Sequence, residues 1–237
     1  MKRQFNPARP EWMDRPQPVS SALERDLANI RSMNRWFGSY RLVLHFLACW
    51  LKPNGRVRIA DLATGAGDIP CRIAEWGRAH DIKINIDAVD QQPGTIEIAR
   101  RLSASYPEIT FVNHDLLEWN PAESYDIVLL SLALHHFSDS DAVKVLRKCR
   151  DFSRGAVLVT DLRRARWLSA GIYLLTAAIY REPMTKNDAR ISAARAFSFR
   201  EMHELAERAG WKHFGHKRFP VGRQAIWLDP CENNRNR

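Results

Sequence analysis

Residues 58–70, RIADLATGAGDIP, decide the fold of this chain. A short apolar run leads into a glycine turn, and the residues after the turn suit the first turn of a helix. In an α/β sheet, this junction is where a nucleotide-like ligand meets the carboxyl ends of the strands. Gly65 and Gly67 carry no Cβ, so the backbone can come close to such a ligand. The stretch therefore predicts a ligand-binding loop between a first strand and a helix.

The charge of this loop distinguishes it from a dinucleotide site. Asp61 precedes the turn and Asp68 follows it, so a pyrophosphate would be repelled and a cation attracted. Pro70 also stands where the G-x-G-x-x-G pattern has its third glycine. The loop therefore favours a ligand that carries an ammonium and a sulfonium.

Two later acids extend the pattern. Residues 83–90 alternate into an apolar strand that ends on Asp90, and residues 110–115 predict a third strand that ends on Asp115. A carboxylate at the end of the second strand can accept hydrogen bonds from both hydroxyls of a ribose. Asp115 is expected beside an adenine amino group, with Leu116 in apolar contact. A helix N-cap or a solvated loop position is the alternative for each acid alone.

Residues 61–67, DLATGAG, resemble motif I of the class I S-adenosylmethionine-dependent methyltransferases, with Ala63 in place of the first glycine. An alanine there is expected to need only an ordinary φ. The resemblance covers roughly residues 57–162 and, more weakly, 211–228. It is closest to small-molecule enzymes of quinone pathways and to polyketide-associated methyltransferases. It implies S-adenosylmethionine as the cofactor, held by Asp61, Ala63, Thr64, Gly65, Gly67, Asp68, Asp90, Gln91, Asp115, Leu116 and Ser131.

Alternating strands and helices predict an α/β fold. The resemblance implies a Rossmann-like, mostly parallel seven-stranded sheet with helices on both faces, a C-terminal antiparallel hairpin and an N-terminal helical lid. Residues 1–54 are expected to form an extended segment and the lid helices. Residues 55–230 are expected to form the cofactor-binding domain, with a cap insertion at about 163–197, and 231–237 a polar tail. A capping box at Ser21 and Glu24 predicts the start of the first helix.

Two apolar segments bear on the nature of the molecule that accepts the methyl group. Residues 167–180 are apolar, are flanked by arginines and are too short to span a bilayer. They fit a core helix, a peripheral membrane contact or, as we prefer, a cap over the active site that holds a lipophilic acceptor. The helix at about 40–51 is expected to complete the lid with Leu42, Leu44, Phe46 and Leu47.

His135 and His136 are the predicted catalytic residues because they follow the fourth strand, on the loop expected to face the sulfonium methyl. A phenol or enol acceptor loses a proton on methylation, and a histidine suits that task. The alternative is that one histidine packs under the lid while the other bonds to backbone. Asp161, at the end of the fifth strand, is expected either to orient the acceptor or to pair with Arg163 or Arg164.

Composition fits a single catalytic domain. The 237 residues include four scattered cysteines, and neither these nor the histidines have metal-ligand spacing, so no metal site is predicted. The N-terminus has no apolar signal region, which together with the free thiols predicts a cytoplasmic protein.

The charge balance supports a rival function. With 36 Lys and Arg against 27 Asp and Glu, the net charge is +9, which raises an RNA methyltransferase as the alternative. Enzymes that methylate exocyclic base amines usually have Asn/Asp-Pro-Pro-aromatic after the fourth strand, whereas residues 131–134 read SLAL. The sequence therefore favours O-methyl transfer to a small, lipophilic hydroxylated acceptor of aromatic, polyketide or quinone type. The oligomeric state is not predicted.

Overall fold

The computed structural model describes residues 2–165, 171, 180 and 182–229. Its strands form one seven-stranded sheet. They are β1 (Arg56–Leu62), β2 (Lys83–Asp90), β3 (Ile109–Asn113), β4 (Tyr125–Ser131), β5 (Ser153–Leu162), β6 (Gly215–Phe219) and β7 (Arg223–Leu228). Their order across the sheet is β3-β2-β1-β4-β5-β7-β6.

Seven α-helices lie within the part of the chain that the structure describes. They are α1 (Ser21–Trp36), α2 (Ser39–Trp50), α3 (Asp68–Ala79), α4 (Pro93–Leu102), α5 (Asp139–Phe152), α6 (Pro183–Arg195) and α7 (Phe199–Arg208). A short 3₁₀ turn, Leu134–His136, follows β4. Among the described residues, no helix has both the length and the apolarity needed to cross a membrane.

The strand pairing places the ligand site. Strands β1 to β5 pair in parallel, and β7 pairs antiparallel with both β5 and β6. The strand order reverses between β1 and β4, because β1 continues to β2 on one side and β4 lies on the other. A crevice opens beyond the carboxyl ends of the strands at such a reversal. The predicted α/β sheet with its antiparallel hairpin is confirmed.

Both faces of the sheet are covered, which explains why its central strands are apolar runs rather than alternating ones. One face packs against α5 and α7, and the other packs against α2 and α3. Phe46 and Leu47 of α2 are buried in this second layer, and the Phe46 ring lies 4.9 Å from the Trp227 ring. The prediction that Leu42, Leu44, Phe46 and Leu47 line a lid is therefore wrong. Their apolar surface is buried by the sheet instead.

Two element ends differ from the sequence prediction. The N-cap of α1 is Ser20, one residue earlier than predicted. The Ser20 Oγ accepts a hydrogen bond from Leu23 N at 3.2 Å, and Ser21 is already helical. Strand β3 ends at Asn113, so Asp115 lies in the turn beyond it, where its Oδ1 accepts a hydrogen bond from Leu117 N.

The segment between β5 and α7 is described only in part. Residues 167–180, predicted as a cap, lie outside the described residues except for 171 and 180. Helix α6 is described and packs on α1 through Thr185, whose Oγ1 donates to Asp26 Oδ1 at 2.6 Å and accepts from Asn29 Nδ2 at 2.9 Å. Helices α1 and α6 therefore stand together beside the carboxyl edge of the sheet.

Candidate active site

A cavity of about 480 Å³ lies at the carboxyl edge of the sheet. The N-terminal segment, α1, α6 and the loops after β1, β2, β3 and β4 all contribute to its wall. All but one of the residues predicted to bind cofactor or act in catalysis line it. They are Asp61, Ala63, Thr64, Gly65, Asp68, Asp90, Gln91, Asp115, Leu116, Ser131, His135 and His136.

Gly67 is the exception, and its role is to shape the loop. It has a φ of +69° at the N-cap of α3, a conformation that glycine adopts without cost. A Cβ on this residue would lie 2.8 Å from Cζ of Phe111, which is too close for a real contact. Gly67 is therefore needed for the close passage of the loop over β3, although it does not line the cavity.

Ala63 corrects another expectation. Its φ is +53°, in the left-handed region, and not the ordinary value expected for alanine. The loop thus needs the conformation that a glycine at this position supplies, and the alanine Cβ strains it by about 1 kcal/mol. The strain is confined to the residue that connects β1 to the ligand loop.

We expect Ala63→Gly to relieve this strain. The free energy of unfolding should rise by between a few tenths of a kcal/mol and about 1 kcal/mol. The relief of backbone strain is partly offset by the greater entropy of glycine in the unfolded chain. Urea unfolding of the two proteins measures the change. Ala66→Gly, in the same loop, is the control and should destabilise the chain, since Ala66 is buried in an apolar cluster. A loss of stability in Ala63→Gly would contradict the strain argument.

The three predicted acids are held within the crevice. Asp61 is buried and accepts a hydrogen bond from Thr64 Oγ1 at 2.6 Å. Burial, together with the nearby charges of Asp68 and Asp90, raises the pKa of Asp61 to about 7. Asp90 accepts from Gly65 N and from Gln92 N, while its burial raises its pKa. A cationic ligand would relieve this crowding of carboxyl groups.

Asp68 connects the ligand loop to the N-terminal helices. Its Oδ2 accepts hydrogen bonds from Asn34 Nδ2 at 3.0 Å and from the Tyr40 hydroxyl at 2.7 Å. Asn34 lies in the last turn of α1 and lines the cavity, and Tyr40 lies in the first turn of α2. The position of α1 over the cavity is therefore fixed by the same loop that faces the ligand.

His135 is positioned by Asp161. The His135 ring shares a hydrogen bond between its Nδ1 and Asp161 Oδ1 at 2.6 Å, and the His135 backbone N donates to Asp161 Oδ2 at 2.9 Å. The Nε2 atom of this buried ring has no hydrogen-bond partner. The tautomer with its proton on Nδ1, which Asp161 would accept, leaves the lone pair on Nε2. Asp161 therefore positions His135, a role that the sequence did not predict for it.

His136 differs from its neighbour in charge. Its Nδ1 lies 2.7 Å from Asp14 Oδ2, and its Nε2 lies 4.0 Å from Glu11 Oε1. Burial opposes protonation of the ring, but the carboxyl groups of Glu11 and Asp14 prevail and raise the pKa of His136 to about 10. His136 is therefore a cation at neutral pH and cannot accept a proton.

The N-terminal segment brings in functional side chains that sequence reasoning missed. Glu11 is buried, lies 3.7 Å from His135 Nε2 and accepts a hydrogen bond from Ser192 Oγ. Asp188 holds the segment by accepting from the backbone N of Trp12 and of Met13. The available signal was two acids, Glu11 and Asp14, in a proline-rich and otherwise basic stretch.

Arg3 fastens the start of this segment beside the histidines. Its guanidinium donates to the carbonyl oxygens of His135 and Phe137, and Nη1 forms an ion pair with Asp139 at 2.8 Å. Its plane also lies over the Phe197 ring at 3.8 Å. The segment is therefore anchored at Arg3 and again at Trp12 and Met13, between Glu11 and Asp14.

Among the described residues, Glu11, His135 and His136 are the set that could hold a metal ion, because their ligand atoms lie within 4.8 Å of one another. A metal would first have to displace the proton of His136, which two carboxylates stabilise. The geometry fits a proton-transfer network without that displacement. The absence of a metal requirement stays a prediction, and activity that survives EDTA treatment would support it.

Comparisons with known proteins identify part of the chain and its fold. Residues 59–154 match the family model described as a methyltransferase domain. Acetylserotonin O-methyltransferase 3 of Oryza sativa subsp. japonica is 38% identical over 64 residues, which is 27% of this chain and 16% of that protein.

Solved structures share the fold at low sequence identity. Human N-acetylserotonin methyltransferase in complex with S-adenosylmethionine matches with a TM-score of 0.61 and 17% identity, over 88% of this chain and 55% of that one. A methyltransferase from Aquifex aeolicus matches with a TM-score of 0.59 and 14% identity, over 94% and 98%. The methyltransferase domain of a citrinin polyketide synthase matches with 0.60 and 12%, over 80% and 50%.

The fold is that of the methyltransferases named above, and residues 59–154 match a methyltransferase domain. In the human structure, a fold of this kind holds S-adenosylmethionine. The chain spans little more than half the length of the human enzyme and a sixth of the rice enzyme.

Proposed function

We propose that this protein transfers the methyl group of S-adenosylmethionine to a hydroxyl of a small, lipophilic hydroxylated ring of aromatic, polyketide or quinone type. The observation that carries the proposal is that His135 lines the same cavity as the acids of the ligand loop, while its Nε2 has no hydrogen-bond partner among the described residues. The rice relative named above is an O-methyltransferase, which supports transfer to oxygen. The division into an N-terminal segment, a cofactor-binding domain and a cap insertion is part of this proposal.

The cofactor is assigned to the side of the cavity under β1, β2 and β3. Asp90 accepts hydrogen bonds from the ribose hydroxyls, and Asp115 faces the adenine amino group. Asp61 and Asp68 attract the positively charged methionine end. Each of these side chains follows or ends a strand at the cavity. Held in this way, the cofactor would supply its methyl group near the loop after β4, where His135 lies.

Methyl transfer is an in-line displacement. The acceptor oxygen forms a bond to the methyl carbon as the bond from that carbon to sulfur breaks, and the electron pair stays on sulfur. The proton of the hydroxyl passes to His135 Nε2, and Asp161 stabilises the resulting imidazolium. His136 is already protonated and therefore supplies positive charge near the developing phenolate. Holding the two reactants in line supplies much of the remaining rate.

The apolar part of the cavity wall fits a lipophilic acceptor. Leu27, Ile30 and Met33 of α1 line it with Met13 from the N-terminal segment and Phe37 after α1. Each buried methylene contributes about 0.8 kcal/mol. An acceptor with an alkyl tail would therefore gain affinity from this wall, whereas a small hydrophilic metabolite would not.

The experiment that tests the function uses S-adenosylmethionine labelled in the methyl group. Alkyl phenols and 5-alkylresorcinols of increasing chain length are offered beside total RNA. We expect label in the ring compounds, with kcat/KM rising roughly tenfold for every two added carbons until the pocket is full. Equal rates along the series would contradict the lipophilic wall. Label in RNA and in none of the small molecules would favour the RNA alternative.

Asp90→Ala tests the cofactor side separately. Loss of hydrogen bonds from ribose to a charged group should weaken S-adenosylmethionine binding by about 1.5–3 kcal/mol. Calorimetric titration measures the dissociation constant, and Asp87→Ala, earlier on the same strand but outside the cavity lining, is the control. Unchanged affinity in a folded Asp90→Ala protein would remove Asp90 from the ribose site.

A further inference from the structure

Arg223 is a buried cation with two guanidinium nitrogens that have no hydrogen-bond partner among the described residues. It begins β7, lies opposite Leu162 in the β5–β7 ladder and is only 5% exposed. Its Nε and Nη1 atoms make no hydrogen bond. An unpaired buried charge is costly, usually by several kcal/mol, so a native structure retains one where something else compensates it.

Other buried arginines of this protein show the contrast. Arg195 donates to the carbonyl oxygens of Asn6 and Arg9, and Arg164 donates to Ala196 O and forms an ion pair with Glu201 at 2.6 Å. These guanidinium groups fix the chain. Arg223 forms no such connection, and its side chain lines the cavity.

The nearest carboxylate does not satisfy Arg223. The charge of Asp161 acts on the guanidinium, but the Asp161 oxygens accept bonds from His135 N, from the His135 ring and from Leu162 N. Burial lowers the pKa of Arg223 to about 10. At neutral pH the group therefore remains charged, with donors directed at no acceptor.

The position of Arg223 separates it from the cofactor. The acids assigned to S-adenosylmethionine follow β1, β2 and β3, while Arg223 lies on β7, beyond both β4 and β5 in the sheet. His135, which follows β4 and is bonded to Asp161 of β5, lies between the two regions. Arg223 therefore belongs to the acceptor side of the cavity.

We propose that Arg223 binds a carboxylate of the acceptor, which makes the acceptor an amphipathic hydroxy acid: a lipophilic hydroxylated ring that carries one carboxylate. This proposal rests on the proposed function. A planar guanidinium fork matches a carboxylate. The apolar wall along α1 receives the rest of the molecule, and the ring hydroxyl faces His135.

The test compares two acceptors that differ only in the carboxylate. A 2,4-dihydroxy-6-alkylbenzoate and the 5-alkylresorcinol with the same tail are assayed with wild-type protein, Arg223→Gln and Arg223→Lys. We expect the wild-type protein to prefer the acid by roughly 10- to 100-fold in kcat/KM. Arg223→Gln should lose that preference, chiefly through KM, and Arg223→Lys should keep part of it. Arg218→Gln, which removes the same charge from an exposed position on β6, should retain the full preference.

Binding measurements keep the two proposals distinguishable. Calorimetry of both compounds in the presence of S-adenosylhomocysteine reports the carboxylate preference even if neither compound is methylated. Equal binding of both compounds by the wild-type protein would overturn the role of Arg223, whatever the methylation result. A fall in S-adenosylmethionine affinity of tenfold or more in folded Arg223→Gln would show that the guanidinium binds the cofactor carboxylate instead. Methylation of neither compound, with the preference in binding retained, would count against the proposed function alone.

Discussion

His135→Ala is expected to lower kcat by roughly 10²- to 10⁴-fold, the range that a positioned general base contributes. In the proposed mechanism the lone pair on Nε2 accepts the hydroxyl proton, because Asp161 occupies Nδ1 and the neighbouring His136 is already protonated. Single-turnover methylation of an alkylresorcinol with labelled cofactor measures the chemical step. The affinity for S-adenosylmethionine should change less than threefold, because His135 lies beyond the acids that hold the nucleoside.

Two further measurements separate a base from a packing residue. Asp161→Asn leaves the ring in place but removes the carboxylate that fixes its tautomer, so kcat should fall while the folded structure is kept. Added imidazole should restore part of the activity of His135→Ala, because the cavity left by the ring can admit it. A kcat of His135→Ala within threefold of wild type would leave proximity as the main catalytic device.

The second large effect concerns His136 and the dependence of stability on pH. The pKa of His136 is raised from about 6.5 to about 10 in the folded protein, so the folded state binds the proton more tightly than the unfolded state. This stabilisation is fully present below pH 6.5 and is lost as the pH rises through 10. We expect the free energy of unfolding to fall between pH 7 and pH 10 by an amount on the order of 2–3 kcal/mol. The charged and titratable groups that face the ring are Glu11, Asp14, Asp90, His135 and Asp161.

Urea unfolding at several pH values gives the curve. His136→Gln should show a shallower decline over this range, because the side chain no longer titrates. Asp14→Asn is the matched variant: it keeps the histidine but removes the closer carboxylate, so the decline should begin at lower pH. Curves of wild type and His136→Gln that run parallel from pH 7 to pH 10 would contradict the assignment of the charge to His136.

The neighbouring histidines, His135 and His136, show how tertiary contacts give two identical residues different properties. Their position after β4 follows from sequence, but the sequence offers no means of choosing between them. Asp161, from the next strand, holds His135 by its Nδ1 and leaves Nε2 free. Asp14, from the N-terminal segment, holds His136 with Glu11 close by and keeps it protonated. The difference in role therefore depends on segments far from both residues along the chain.

The apolar helix α2 illustrates a different limit. Its composition correctly indicated that its apolar side chains are buried. Composition does not tell which other part of the protein buries them. Phe46 packs against Trp227 of the C-terminal hairpin. Helix α1, which is less apolar, instead supplies Leu27, Ile30 and Met33 to the cavity. Sequence periodicity gives a helix its buried face, whereas its partner is set by the packing of the whole layer.

The sequence by itself determined the sheet, the ligand loop and the order of the acids at its carboxyl edge. These features depend on local patterns: apolar runs, glycines and the position of acids at or shortly after the strands. Only the tertiary structure decided that Ala63 takes a left-handed conformation, that Glu11 and Asp14 join the histidines, and that two guanidinium nitrogens of Arg223 are buried without a hydrogen-bond partner among the described residues. The physical reason is that charge, strain and burial at these positions come from contacts between distant segments, which no local pattern records.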